Sequence, residues 1–307
     1  RNILIRGGRV VAEQGVLNPG DVLVEGDVIK KIAPKIQPGR DTEVIDASGM
    51  IVTPGYVNNH AHLWESLVRG ASANATGEEH RAIVLDPLPF KLTVDDMYVG
   101  TLVGALNALS NGCTTVVNWD LGSLTLAHAK AAVNALADAG VRALHSFSAT
   151  RVTQNDPDSA PTEEEFLALA DMTSRNPLLS MHMGTRNPVN RDVFPRVLRD
   201  FRLARELGIR ISLHAGLATS VAVPGVLYDN GLLGPDVMFV NGSAFTATEF
   251  ALIAEHGAWI ITAPEVEQQS GTPTPLGLML AAGIKPTVCT DSYAYCPSHL
   301  PSQLRLL

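Results

Sequence analysis

The sequence predicts an α/β fold: a (β/α)8 TIM-like barrel over residues 51-307, preceded by a small N-terminal β-sandwich module over residues 1-50. Three observations predict it. From Met50 onward, short β-branched runs alternate with segments of helical spacing; eight such runs can be counted; and several helical segments stop at a glycine. Runs that are apolar throughout, and not alternating, are the mark of strands buried on both faces, as in parallel sheets covered by helices.

The module comes first in the chain. Its candidate strands are Asn2 to Ile5, Val10 to Val11, Asp21 to Val24, Val28 to Ile32 and Glu43 to Ile45, separated by turn signals such as Asn18-Pro19-Gly20, Glu25-Gly26-Asp27 and Pro38-Gly39. It holds too little apolar material to stand alone. The eight barrel strands are then expected at Ile51 to Val57, Thr114 to Trp119, Ala143 to Phe147, Leu178 to Met183, Arg210 to Leu213, Val237 to Val240, Trp259 to Thr262 and Pro286 to Cys289. Helices are expected at Asp95 to Ser110, Leu126 to Ala139, Thr162 to Arg175, Arg191 to Leu207, Thr246 to His256 and Pro275 to Ala282. Gly112, Gly140, Gly208, Gly257 and Gly283 supply the C-terminal stops.

Composition sets outer bounds. With 307 residues, 46% hydrophobic and 18% charged, the chain is compact and ordered, not disordered or of low complexity. A net charge of -8 without a Lys/Arg cluster argues against nucleic acid and anionic membrane as partners and favours a small-molecule or peptide-like substrate. Three cysteines, Cys113, Cys289 and Cys296, make no disulfide framework, and the opening residues lack the apolar core of a signal peptide. A cytoplasmic setting is the expectation, with a symmetric homo-oligomer as the default for a soluble enzyme.

The chemistry is expected at strand C-terminal ends, where barrel loops carry it. His60-Ala61-His62 lies just beyond the first barrel strand, and in extended chain residues two apart face the same side. His214 ends the fifth strand and Asp291 the eighth. Three imidazoles and one carboxylate at a barrel mouth suit a divalent ion, with Zn2+ placed ahead of Fe2+.

These residues carry a resemblance. The run from Ile51 to His62, with Val44-Ile45-Asp46-Ala47 before it, resembles the amidohydrolase superfamily, in particular its cytosine-deaminase-related and chlorohydrolase-like branch. The similarity extends through Gly112 to Val117, Leu232 to Asp236, Pro264 to Glu267 and Gly283 to Asp291. It implies one metal ion on His60, His62, His214 and Asp291, and attack of metal-activated water on an sp2 carbon, with Asp291 as first proton acceptor. No lysine ends the fourth strand, where binuclear members carry a carboxylated one; His182 lies near that position, so a mononuclear site is expected. Chains of this family usually run on past the strand-eight aspartate, so a C-terminal part is expected to be missing after Leu307.

Two departures from the family pattern bear on the reaction. Asn241 stands at the end of the sixth strand where a histidine is usual, and Leu217 stands three residues after His214 where deaminases carry a glutamate. Neither can carry a proton. Glu267, after the seventh strand, is the candidate substitute, with a solvated loop acid or helix cap as the alternative reading. Trp64, His182 and His145 are candidate substrate contacts, each with a packing role as the alternative. Ser292 to Pro301 reads as the last βα loop and a substrate rim. The reading that follows is a metal-dependent hydrolase of a C-N bond in an amide, peptide-like or cyclic amidine substrate. Its rivals are a deaminase of an aminated heterocycle or nucleobase, and a degenerate member that only binds.

Overall fold

A computed structural model of the chain describes residues 1–217 and 222–307. They fall into two compact units, Arg1–Gly55 and Tyr56–Leu307.

The first unit is organised around one long strand. β1 (Asn2–Ala12) pairs antiparallel with β2 (Gly15–Glu25), which pairs with β3 (Val28–Ala33), and its other edge takes β4 (Thr42–Asp46) and β5 (Ile51–Val52) in parallel. All five strands belong to one hydrogen-bonded sheet, where two facing sheets were expected. The register of β1 against β2 shifts around Gly8, which lets one strand serve β4 with its first half and β5 with its second. A Cβ at Gly8 would lie 2.6 Å from the Val52 side chain. The buried Asp21 carboxylate accepts from the backbone N–H groups of Gly7 (2.9 Å) and Ile36 (2.8 Å), tying the later chain to the hairpin.

The run 51–57, expected as one barrel strand, is divided. Ile51–Val52 pairs with β1, and after Thr53-Pro54-Gly55 a new strand, β6 (Tyr56–His62), starts. Pro54 and Gly55 interrupt the run because proline has no N–H for a ladder and glycine favours no extended conformation.

The second unit contains two five-stranded sheets in which every pairing is parallel. One runs from β15 (Asp291–Ser292) through β6, β7 (Cys113–Asp120) and β8 (Arg142–Phe147) to β9 (Leu179–Met181). The other runs from β10 (Met183–Gly184) through β11 (Ile211–Ala215), β12 (Val237–Asn241) and β13 (Trp259–Thr262) to β14 (Thr287–Val288). Only His182 separates β9 from β10. Its N–H donates to the His145 carbonyl at 2.9 Å, and Met183 N donates to Arg210 O at 2.9 Å, so the chain passes from one sheet to the other without leaving the ladder. β14 and β15 are related in the same way: Cys289 N donates to Thr262 O (2.9 Å) and Thr290 N to the Asn58 side-chain oxygen (3.1 Å).

The helices expected from periodicity occur as Val94–Ser110, Leu126–Ala139, Glu163–Ser174, Phe194–Glu206, Ala247–Glu255 and Leu276–Ala281. Thr93 with Asp96, Thr162 with Glu165 and Thr246 with Glu249 form capping boxes at three starts. Short helices at Val223–Asp229, Pro264–Gln269 and Leu300–Leu304 and the 3-10 turn Leu63–Val68 were not anticipated, since two turns or fewer leave no period to read. Phe147, Phe166, Phe201, Phe239 and Phe250 anchor the main apolar core, and the three cysteines are buried free thiols whose ionisation burial opposes. Among the described residues no helix is long and apolar enough to cross a membrane.

Gly216, two residues after His214, shows how tightly the strand ends meet. Its φ is +78°, and a Cβ there would lie 2.6 Å from the Gly242 Cα. Gly216→Ala is expected to lower stability by roughly 2 kcal/mol, from left-handed backbone strain and overpacking, as measured by the denaturant midpoint at unchanged slope.

Candidate metal centre

β6 ends by projecting His60 and His62 to the same side, and the two Nε2 atoms come within 3.2 Å of each other. From β11, His214 brings its Nε2 to 3.2 Å from that of His60. From β15, Asp291 sets Oδ1 at 3.2 Å from His62 Nε2 and 3.5 Å from His60 Nε2. One ligand atom from each of the four residues fits within a span of 4.8 Å. The structure brings together the four residues that the sequence singles out.

The donor chemistry fits a cation. Four donors at tetrahedral zinc, with metal–nitrogen bonds of ~2.0–2.1 Å, stand about 3.3 Å apart, close to the separations here. His62 Nδ1 lies 2.9 Å from the Trp119 carbonyl, to which it donates, so that its Nε2 is left as a lone-pair donor. The His60 and His214 Nε2 atoms, 3.2 Å apart and both kept neutral, suit a cation between them; without one, the proton that His62 shares with Asp291 supplies the positive charge. Burial pushes the His60 and His214 imidazoles below their ordinary range, keeping them neutral. Burial also opposes charge on His62 and Asp291, but their mutual hydrogen bond outweighs it. Asp291 is held well below the usual carboxylate range, and His62, helped by Glu65 and the Trp119 carbonyl, is pushed up to about 9.

Around the four, the structure adds ties that the sequence did not single out. Asn58 donates its amide to Thr290 Oγ1 (2.7 Å) and accepts from Thr290 N, joining β6 to the residue before Asp291. Asn118 Oδ1 accepts from Leu63 N at 3.3 Å, fixing the backbone just after His62. Asparagines read as turn formers in a sequence, which hides such pairings across neighbouring strands.

The other candidates divide. His182, in the break between β9 and β10, is buried with Nε2 at 2.5 Å from Ser212 Oγ and Nδ1 without a partner among the described residues; burial, His60 and Arg210 push it down to about 3. His145 is equally buried, with Nδ1 at 3.2 Å from the Asn118 amide and Nε2 at 3.7 Å from Asp120. Trp64 packs against Val84, Met97 and Ala294 in a separate apolar cluster, in line with its packing role. Asn241, at φ +79°, is fully buried and neither side-chain polar atom has a hydrogen-bond partner among the described residues. Glu267 is neither a solvated loop acid nor free. It lies buried in Pro264–Gln269, and its carboxylate accepts from Thr262 Oγ1 (2.6 Å), Ala263 N (3.0 Å) and Thr274 Oγ1. Burial still raises it above the ordinary glutamate range.

Comparison with known proteins gives the class. Residues 51–303 match the amidohydrolase family, and the chain belongs to it, as a hydrolase of the class acting on carbon–nitrogen bonds. Over 313 residues it is 29% identical to the 5-methylthioadenosine/S-adenosylhomocysteine deaminase of Thermococcus kodakarensis, covering 95% of this chain and 70% of that one. It is 26% identical over 266 residues to the 5'-deoxyadenosine deaminase of Methanobrevibacter smithii, covering 80% and 59%. In fold it is similar to a triazine hydrolase from Arthrobacter aurescens (TM-score 0.85, 21% identity, 100% of this chain and 75% of that chain). A zinc-bound adenosine deaminase from Xanthomonas campestris is also similar (TM-score 0.77, 22% identity, 99% and 72%).

Two predictions come from the buried polar groups. A histidine held down to about 3 when folded, against about 6.5 unfolded, contributes stability that is full above pH 6.5 and is lost as pH falls towards 3, because only the unfolded chain takes up the proton. His182→Gln should therefore flatten the loss between pH 6 and 4 by roughly 1.4 kcal/mol per pH unit in denaturant titrations. Glu267→Ala strands three buried donors and should cost about 2–3 kcal/mol in the same assay.

Proposed function

We propose that the chain is a mononuclear metal-dependent hydrolase that cleaves a C–N bond of a small molecule by attack of water on an sp2 carbon. The convergence of His60, His62, His214 and Asp291 carries this reading. These four would hold one divalent ion, Zn2+ ahead of Fe2+, and when bound it supplies Lewis acidity and a water of near-neutral pKa. Asp291, kept ionised, is the proton acceptor at the site. Buried Trp119, whose ring lies against His60 and His214, keeps bulk water from the donors and strengthens every charge interaction there. We read the two sheets of the second unit as one closed (β/α)8 barrel, with β9/β10 and β14/β15 each a single broken strand. Residues 51-307 then form the catalytic domain behind a β module of residues 1-50.

For the substrate, we favour an amide, peptide-like or cyclic amidine carbon. Leu217 and Asn241 cannot move a proton, and the Glu267 carboxylate already accepts from three donors, which leaves ring-amine deamination without its usual shuttle. A second reading, deamination of an aminated heterocycle, is favoured by the deaminase names of relatives that align along almost the whole chain. A member that only binds has no need to keep these four side chains facing one another, as they do here.

The purified protein is expected to carry close to one equivalent of Zn or Fe, to lose hydrolysis on chelation and to regain it on reloading. Less than about a tenth of an equivalent, with no gain on reconstitution, would sink the proposal. A panel of amides, cyclic amidines, aminopurines, aminopyrimidines and aminotriazines, read for ammonia and for carboxylate, separates the two substrate readings.

A further inference from the structure

The segment after Asp291 is strapped to the segment after His62. Glu65, three residues past His62 in the turn Leu63–Val68, is completely buried. Its Oε2 accepts a short hydrogen bond from Ser292 Oγ and another from Ala294 N at 3.4 Å, while Oε1 is buried without a partner among the described residues. Two further ties lie alongside. Gly70 N donates to Tyr293 O at 3.2 Å, and Ser72 donates to Ala294 O through its N–H (3.0 Å) and its hydroxyl (2.9 Å).

What this strap holds is a strained residue. Asp291 has φ +56°, in the left-handed region that costs a non-glycine residue free energy. Its own ladder with β6 is only two residues long, Asp291 against Ala61 and Ser292 against His62. So short a strand does not fix a strained backbone by itself. Burying the Glu65 carboxylate with both of its donors on Oε2 is itself unfavourable, and the gain lies in where those donors are: on Ser292, which adjoins Asp291, and on Ala294, two residues further on.

We propose that Glu65 is a positioning residue of the metal centre: through Ser292 and Ala294 it fixes Asp291 so that the carboxylate stays 3.2 Å from His62 Nε2. This rests on the metal reading of the four-residue site. Glu65 acts as a hydrogen-bond acceptor in this role, so a neutral acceptor of the same length should replace it.

The test measures Zn2+ affinity of the full chain by competition with a chromogenic chelator, beside thermal unfolding of the metal-free forms. Removing groups that orient metal ligands typically weakens affinity by 10- to 100-fold, so Glu65→Ala should fall by about that factor, and Glu65→Gln should return close to wild type. If Glu65→Ala does not fold, Ser292→Ala carries the test, with an expected loss of about tenfold. Unchanged Zn2+ affinity in Glu65→Ala or Ser292→Ala, with only a lower melting temperature, would overturn the proposal in favour of plain packing. Glu65→Gln as weak as Glu65→Ala would overturn it too, by making the charge the operative property. A wild-type chain that binds no Zn2+ sinks the metal reading along with it, whereas wild-type binding that Glu65→Ala leaves intact sinks this proposal alone.

Discussion

Everything at the site follows from one electrostatic constraint: four donor groups, three of them imidazoles, are held 3.2–3.5 Å from their neighbours where His60, His62 and Asp291 are buried and His214 is partly buried. Left alone, neutral imidazoles would rotate apart and the aspartate would move to solvent, so the arrangement persists only because the backbone leaves no alternative. Each donor comes from a strand end, and strand ends in a parallel sheet are fixed by the ladders on either side. His60 and His62 are placed by β6 between β7 and β15, and His214 by β11 between β10 and β12. Asp291 has the shortest ladder of the four ligands, and the polar ties concentrate around it.

Strain is located where the chain must aim a side chain against the normal alternation of a strand. Among the described residues, the non-glycine positions with positive φ are Asn241 and Asp291, both at strand ends on the candidate-site side. Asparagine and aspartate bear the left-handed region better than most residues, which is why these types can stand there. At Asp291 the conformation serves ligation. At Asn241 it buries a carboxamide that has no hydrogen-bond partner among the described residues.

Elsewhere in the second unit, buried polar groups pair with each other. His182 with Ser212, His145 with Asn118 and Asp120, and Glu267 with Thr262 and Thr274 are all buried. Such pairings help specify the interior because other arrangements would leave more buried polar groups unpaired. This accounts for charged and polar residues that composition alone would assign to the surface.

The strand and helix order of the second unit was legible in the sequence because buried parallel strands are unbroken apolar runs and the helices around them keep a 3.6-residue period. The His60-x-His62 pair was legible for a related reason, since alternation along a strand turns a spacing of two into a shared direction. Other features were set by contacts between distant segments. Pro54 and Gly55 divide a run that looked continuous, because Ile51–Val52 finds its partner in β1 and Tyr56–His62 finds its own in β7 and β15. Glu267 read as a candidate proton carrier, with a loop acid or helix cap as the alternative, and only the fold brings Thr262 and Thr274 onto it; Glu65 carried no signal because its donors, Ser292 and Ala294, are more than two hundred residues away. The sequence by itself determined most of the elements and singled out the four candidate ligands, which depend on local periodicity and residue chemistry. Only the tertiary structure decided which acids are saturated and which backbone is strained and held, because hydrogen-bond satisfaction depends on which residues meet in space.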